Sequence, residues 1–105
     1  MKKGTRLEKD SLGTMEVPAR AYYGIQTARA RANFPVSGLR AHPALIRAYG
    51  AVKKACCMAN AELGSLGLAR ARAISKAADE VMAGQWDAEF VVDVYQAGAG
   101  TSFNM

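Results

Sequence analysis

Two helical repeats of apolar residues, joined by a short glycine-containing linker, constrain the fold more than any other feature. In residues 43–63 the apolar residues recur at spacings of four, three, four, three and four, which places them on one helical face; they are Leu45, Tyr49, Val52, Cys56, Ala59 and Leu63. Pro43 suits a first helical position, and Gly64 follows where a left-handed cap belongs. The pattern predicts a helix over residues 43–63.

A second apolar stripe follows the linker Ser65-Leu66-Gly67 and predicts a helix over about residues 68–82, ended by Gly84. The stripe consists of Leu68, Ala71, Ile74, Ala78 and Val81. Because the linker is short, the two helices are predicted to form an antiparallel hairpin. Gly50 inside the first helix costs about 1 kcal/mol relative to alanine, so we expect another backbone to approach it closely.

The amino-terminal part of the chain predicts a small β-hairpin over residues 5–17. The turn-forming stretch Asp10-Ser11-Leu12-Gly13 separates its two strands, and Pro18 stops the second strand. A short helix is predicted over residues 25–34, before Pro35. The predicted fold is therefore mainly α, a helical hairpin plus short helices, with a small N-terminal β-hairpin. Two strands alone are marginal in water, so this hairpin needs support from other elements.

Charge is distributed unevenly along the chain, whose net charge is +5. Residues 20–76 carry ten basic residues and one acid, Glu62, whereas residues 77–105 carry five acids and no base. A basic middle segment is compatible with nucleic-acid binding, and a nucleic-acid-binding or helical interaction module is one alternative function. The bases are scattered singly, apart from Lys53-Lys54, which is more typical of solvated helix faces. Nucleic acid is therefore not the expected partner.

The sequence contains no pattern typical of a membrane span, a secretory signal or a zinc site. Its apolar runs fall short of the roughly 18 residues that cross a bilayer. The basic start Met1-Lys2-Lys3-Gly4 is not followed by an apolar stretch. Cys56 and Cys57 are adjacent, without the spacing of zinc ligands, and are expected to be small buried or half-buried helix residues. We expect a cytoplasmic protein that does not associate with membranes.

The stretch that ends the chain contains the candidate binding site. Gly98 and Gly100 free the backbone to turn tightly and to expose N–H groups, and Thr101 and Ser102 add two adjacent hydroxyl donors. This combination suits a carboxylate or a phosphate. The alternative is a plain glycine-rich turn that caps a helix. The stretch is not a Walker loop, because no lysine follows the glycines, and it lacks the third glycine of a dinucleotide fingerprint.

Capping residues are predicted for the starts of two helices. Thr101 or Ser102 is a candidate cap for a helix that begins near Asn104. His42, the only histidine, precedes Pro43 at a helix start and is predicted to be a capping or surface residue. Residues 85–90 are expected to add a helical turn, and residues 91–95 to be extended.

A series of short motifs runs through the chain in register from residue 6 to residue 105. They are Arg6-Leu7-Glu8-Lys9-Asp10, Leu12-Gly13, Val17-Pro18, the segment from Ala21 to Ala30, Asn33-Phe34-Pro35 and the loop from Gly98 to Met105. Together they resemble the amino-terminal region of aspartate ammonia-lyases, within the aspartase/fumarase superfamily. Class II fumarases typically read Leu-Trp-Gly-Ala-Gln-Thr in place of residues 22–27 and Gly-Thr-Gln-Ser-Asn-Met in place of residues 100–105. Both differences favour aspartase, with a fumarase-type hydratase as the alternative.

The resemblance implies a lyase that eliminates ammonia from L-aspartate to give fumarate. In family members a serine on a mobile loop takes the Cβ proton, and charge develops on the β-carboxylate. Donors aimed at that carboxylate stabilise the transition state. By position, Thr101 is implied as such a donor, with Gly100 and Ser102 shaping or sharing the pocket and Asn104 as a further candidate. Arg29 is a candidate carboxylate partner because its guanidinium is bidentate, with a structural role as the alternative.

The resemblance also implies a place in a larger enzyme. Residues 1–105 are expected to be the N-terminal domain of the aspartase/fumarase fold, with residues 98–105 beginning the substrate-binding loop. Family chains are several times longer and form homotetramers whose active sites each combine three subunits. The serine base is expected beyond Met105, so this chain should contain no catalytic residue and be inactive alone. The implied substrate is a small dicarboxylate, with no cofactor; divalent-metal activation is possible in the family, but no metal site is visible here.

Overall fold

The computed structural model describes residues 3–105 and contains two compact units. One unit combines the described part of Met1–Ala41 with Ala88–Met105, and the other is His42–Asp87. Met1 and Lys2 lie outside the described residues; they belong to the basic start from which we expect no secretory signal. Among residues 3–105, no helix combines the length and the apolarity that crossing a membrane requires.

The predicted β-hairpin is confirmed. Strand β1, Thr5–Asp10, pairs antiparallel with strand β2, Gly13–Pro18, and Asp10 lies opposite Gly13 at the turn. The Leu12 N–H donates to Asp10 Oδ1 at 2.9 Å, which is the local side-chain bond that makes aspartate a good turn residue. Val17 is completely buried, so the hairpin has the support that two isolated strands lack.

Helix α1, Ile25–Asn33, follows the hairpin and ends one residue before the predicted limit. Its N-cap residue, Gly24, has no side chain to satisfy the first N–H groups. Glu8 of strand β1 takes this role, because its Oε1 accepts from the Ile25 N–H at 2.9 Å. A Cβ atom on Gly24 would lie 2.9 Å from the same Oε1, so a larger residue here would force the Glu8 carboxylate to shift.

Arg6 fixes the segment between strand β2 and helix α1. Its guanidinium donates to four backbone carbonyls, those of Pro18, Ala19, Ala21 and Tyr23, at distances from 2.7 to 3.1 Å. The Arg6 Nε also donates to Glu8 Oε2 at 2.7 Å. This bond lowers the pKa of Glu8, and the bond from the Ile25 N–H lowers it further by a smaller amount. One arginine and one glutamate of strand β1 therefore determine where helix α1 begins.

The second unit is the predicted helical hairpin. Helix α2 is Pro43–Glu62 and helix α3 is Leu68–Met82, within a residue of the predicted limits. His42 is the N-cap of α2, where its Nδ1 accepts from the Ala44 N–H at 3.0 Å, which confirms the capping role. Gly64, with φ of 76°, follows α2 in the left-handed region, as predicted.

Four of the five buried positions on helices α2 and α3 are small residues. The buried positions are Ile46, Gly50 and Cys57 on α2, and Ala71 and Ala78 on α3. The Cys57 thiol donates to the Ala71 carbonyl at 3.2 Å. A Cβ on Gly50 would lie 3.4 Å from the Ala78 carbonyl oxygen and 2.9 Å from Met82 Cγ. The predicted close approach of another backbone at Gly50 is therefore confirmed.

The apolar stripe predicted on α2 is not the face that packs on α3. Most of its members are exposed: Leu45, Val52, Cys56, Ala59 and Leu63. Leu63 is 78% exposed. The stripe predicted on α3 is half right, because Ala71 and Ala78 are buried whereas Leu68 and Ile74 are exposed. Small residues on both helices allow a closer approach than the larger side chains of the stripe, so they form the interface.

The segment after α3 is largely irregular. A 3-10 helix, Asp87–Glu89, supplies the helical turn expected in residues 85–90. Val91, Val92 and Asp93 are buried, but the segment 91–95 forms only an isolated antiparallel bridge between Arg40 and Asp93 and no strand. Helix α4, Thr101–Asn104, ends the chain. The predicted class, mainly α with a small N-terminal β-hairpin, is confirmed.

Candidate functional site

The glycine-rich loop makes a tight turn immediately before helix α4. Gly100 has φ of 79° and ψ of 7°, a left-handed conformation that only glycine adopts without strain. Its N–H donates to the Ala97 carbonyl at 3.0 Å, and its carbonyl accepts from the Asn104 N–H at 3.0 Å. The backbone on both sides of Gly100 is therefore hydrogen-bonded, and the residue serves as the N-cap of α4.

The two hydroxyl residues of the loop differ in exposure. Thr101 is exposed, whereas Ser102 is only 6% exposed and the following Phe103 is also buried. The first N–H groups of a helix have no acceptor within the helix. Helix α4 therefore supplies no acceptor for the N–H groups of Thr101 and Ser102. Of the predicted binding residues, Thr101 is accessible to solvent, Ser102 is buried and Gly100 forms the turn.

The predicted cap at this helix is wrong in position. Helix α4 begins at Thr101 and not near Asn104, and its N-cap is Gly100, without a side-chain hydrogen bond from Thr101 or Ser102. A helix of four residues has a small dipole, so the hydroxyl and the backbone donors have to supply most of any attraction for an anion.

Gln96 closes the loop and was not predicted from the sequence. Its Oε1 accepts from the Phe103 N–H at 2.7 Å, and its Nε2 donates to the Asp93 carbonyl at 3.3 Å. The buried Phe103 ring packs against Phe90 with 5.6 Å between ring centroids. Phe103 is thus held on both its backbone and its side chain. A single glutamine beside a glycine-rich loop carries no sequence signal that would have identified this bond.

Asp93 is a second residue that sequence reasoning missed. Its carboxylate accepts from the Ser37 hydroxyl at 2.8 Å, and from the N–H groups of Ser37, Gly38 and Tyr95 at 2.8 to 2.9 Å. The Tyr95 N–H, then the Ser37 and Gly38 donors, hold the pKa of Asp93 at about 2, below its ordinary 3.8. A lone acid within the apolar run Val91-Val92-Asp93-Val94 was the available signal, because a buried charge needs several donors.

Arg29, the candidate carboxylate partner, binds a carboxylate of its own chain. Its Nε and Nη2 donate to the two carboxylate oxygens of Asp10 at 2.9 and 3.0 Å, and Nη2 also donates to the Gly13 carbonyl. The bond from Arg29 lowers the pKa of Asp10. The Arg29 guanidinium, which could bind a substrate carboxylate, therefore binds the turn of the β-hairpin instead. This is the structural role that was the alternative for Arg29.

Side chains that can bind metals do not cluster in the part of the chain that the structure describes. Within residues 3–105, no three side chains of the His, Cys, Asp and Glu types come together as a possible ion site. Cys56 and Cys57 are both free; Cys57 is buried as expected, whereas Cys56 is exposed.

Comparison with known proteins identifies the class to which this fold and loop belong. A family model described as lyase matches residues 13–105. The chain belongs to this family, the aspartase/fumarase superfamily of lyases. Among its relatives, an aspartate ammonia-lyase of a Bacillus species is 52% identical over 105 residues, which are 100% of this chain and 22% of the relative. A class II fumarate hydratase of Halobacterium salinarum is 54% identical over the same share of each chain.

Solved structures match the fold closely. A fumarate lyase/delta crystallin of Brucella melitensis has a TM-score of 0.90 and 48% identity, over 96% of this chain and 22% of that one. A class II fumarase of Schistosoma mansoni has a TM-score of 0.89 and 36% identity, over 95% of this chain and 21% of that one. The chain spans about a fifth of the length of these relatives. Aspartases and fumarases are similar to it at nearly equal identity, so the comparisons define the superfamily and not the substrate.

Proposed function

We propose that this chain is the amino-terminal domain of an aspartate ammonia-lyase, and that the loop from Gly98 to Met105 binds a carboxylate of the substrate. The observation that carries the proposal is the exposed Thr101, a hydroxyl residue that follows a left-handed glycine in a loop held by hydrogen bonds at its base. The 52% identity to a Bacillus aspartate ammonia-lyase over all 105 residues supports the assignment.

The proposed chemistry is an anti elimination from L-aspartate. A base removes the Cβ proton, the electron pair of that C–H bond becomes delocalised on the β-carboxylate, and the C–N bond then breaks to release ammonia and fumarate. Negative charge therefore increases on the β-carboxylate in the transition state. A fixed hydroxyl at Thr101, with Gly100 and Ser102 shaping or sharing the pocket, would stabilise that charge more than it stabilises the ground state.

In this proposal the remaining parts of the active site come from other residues of the full-length protein and from its other subunits. The serine that takes the proton would lie beyond Met105, and the full-length protein would be a cytoplasmic homotetramer that needs no organic cofactor. The 105-residue chain alone should then release no fumarate from aspartate. Fumarate absorbance that appears in proportion to the concentration of the purified chain would overturn this part of the proposal.

A class II fumarase is the second candidate, because the fumarate hydratase of Halobacterium salinarum is 54% identical over the whole chain. Residues 22–27 and residues 100–105 differ from the typical fumarase sequences and favour aspartase. The deciding experiment is an assay of the full-length protein, with L-aspartate and with malate under the same conditions. Ammonia release from aspartate supports the first proposal, whereas fumarate formed from malate alone supports the second.

A further inference from the structure

The side chain of Gln96 spans the base of the candidate loop. Its carbonyl oxygen accepts from the Phe103 N–H at 2.7 Å, seven residues further along the chain, and its amide donates to the Asp93 carbonyl at 3.3 Å. Gln96 itself is half-buried. One side chain therefore joins the entry of the loop to its exit.

The bond to Phe103 satisfies a donor that the helix leaves open. Phe103 is the third residue of helix α4, and the first N–H groups of a helix have no acceptor within it. The N-cap residue, Gly100, has no side chain to offer, so Gln96 supplies the acceptor from outside the helix. The start of α4, and with it the exposed Thr101, is fixed by this bond.

The other end of Gln96 is bound to a residue that is itself held by several hydrogen bonds. Its acceptor, the Asp93 carbonyl, belongs to a buried residue whose carboxylate binds Ser37 and Gly38, which lie 56 and 55 residues earlier in the chain. Because Asp93 is anchored in this way, Gln96 holds the Phe103 end of the loop at a fixed distance from Asp93. The loop need not lose much conformational freedom when it binds a ligand.

We propose that Gln96 is a positioning residue for the carboxylate loop, which acts by holding Phe103, and therefore the Thr101 hydroxyl, in the orientation that binds the substrate. This inference rests on the proposed function of the loop. Gln96 does not touch the substrate in this scheme. Replacement of Gln96 should increase the conformational entropy that the loop loses when it binds, and so weaken the binding of substrate through Thr101.

The structural part of the proposal is tested by hydrogen exchange in the 105-residue chain. Methionine resembles glutamine in length but forms neither hydrogen bond, so Gln96→Met should increase the exchange rate of the Phe103 amide by about tenfold or more. Gln26→Met is the matched control, because Gln26 also donates from its amide, to Asp10 at 2.8 Å. The control should leave Phe103 exchange unchanged. Equal Phe103 exchange in wild type and Gln96→Met overturns the proposal.

The functional part is tested in the full-length lyase with succinate, a non-reactive dicarboxylate, as a competitive inhibitor. Gln96→Met should raise the inhibition constant about tenfold, as a displaced binding group does. Because Gln96 is proposed to act through Thr101, the double variant with Thr101→Val should bind succinate no more weakly than Thr101→Val alone. Purely additive losses would indicate general destabilisation and overturn the positioning role.

Failure of this inference differs from failure of the proposed function. Suppose that the full-length protein converts aspartate or malate, and that succinate has the same inhibition constant for Gln96→Met and for the wild type. Gln96 then does not position the loop. If the wild type converts neither substrate and does not bind succinate, the proposed function itself is wrong, and the inference fails with it.

Discussion

The carboxylate of Asp93 binds Ser37 through both the backbone and the side chain of the serine. Asp93 Oδ2 accepts from the Ser37 N–H at 2.9 Å, and Asp93 Oδ1 accepts from the Ser37 hydroxyl at 2.8 Å. These residues lie 56 positions apart in the chain. The pair joins the segment after helix α1 to the segment that carries the candidate loop, and it makes the fold sensitive to acid.

Asp93 should make the stability of the chain depend on pH in an acidic window. Its folded pKa of about 2 lies below the ordinary 3.8, so its charge stabilises the fold above about pH 4, and this contribution is lost as the pH falls toward 2. Asp93→Asn should lower the Tm at pH 7 by several degrees, with a difference from wild type that shrinks between pH 4 and pH 2. Thermal unfolding followed by circular dichroism at each pH measures this difference.

The control for this experiment is Asp79→Asn. Asp79 is an exposed acid that pairs with Lys54 on the surface, and such pairs contribute little. Its replacement should change the Tm slightly at every pH. A difference for Asp93→Asn that stays constant from pH 7 to pH 2 would show that the carboxylate charge is not the stabilising feature.

The close packing of helices α2 and α3 at Gly50 is predicted to cancel the stabilisation that alanine normally gives a helix. Alanine would gain about 1 kcal/mol from helix propensity, but its Cβ would lie 2.9 Å from Met82 Cγ, an overpacking that costs about 1–3 kcal/mol. Gly50→Ala should therefore leave the free energy of unfolding unchanged or lower it by up to about 2 kcal/mol. Urea unfolding measures this change.

The adjacent exposed position provides the comparison. Ala51→Gly should cost about 1 kcal/mol, the propensity term alone. If Gly50→Ala instead stabilises the chain by the full 1 kcal/mol or so expected from propensity, the close approach at Gly50 does not constrain the helix pair.

Arg6 should not be replaceable by lysine. Its planar guanidinium reaches four carbonyls and Glu8 at once, which a single ammonium group cannot reproduce. Arg6→Lys should lower the free energy of unfolding by about 1–3 kcal/mol, since several carbonyls and part of the Glu8 carboxylate lose their donor. Arg20→Lys, at an exposed arginine of the same unit, should have almost no effect. Equal unfolding curves for the two variants would contradict the role of Arg6.

Thr101 should affect activity without affecting stability. Its side chain is exposed, so Thr101→Val should leave the Tm of the 105-residue chain nearly unchanged. In the full-length lyase, loss of a hydrogen bond to a charged carboxylate costs about 1.5–3 kcal/mol, so kcat/KM for aspartate should fall about 10- to 100-fold. Thr14→Val, at an exposed threonine of strand β2, is the matched control. Unchanged kinetics in Thr101→Val would exclude its hydroxyl as a carboxylate donor.

Local features of the sequence determined the elements of this protein. Pro43, Gly64 and Gly84 mark the ends of the helical hairpin, and the limits of α2 and α3 agree with the prediction within one residue. Turn residues specified the β-hairpin in the same way, and the motifs from residue 6 to residue 105 identified the superfamily. These properties depend on residues a few positions apart, so they can be recognised in the sequence itself.

Tertiary packing decided which faces and side chains hold those elements in place. Periodicity favoured the stripe from Leu45 to Leu63, but the buried residues of α2 are Ile46, Gly50 and Cys57. At Gly50 the missing side chain lets the backbone of α3 approach. The bonds of Glu8 to Ile25, of Asp93 to Ser37 and of Gln96 to Phe103 join residues from 7 to 56 positions apart. No local pattern encodes such partners; they meet only when burial of the core brings distant segments together.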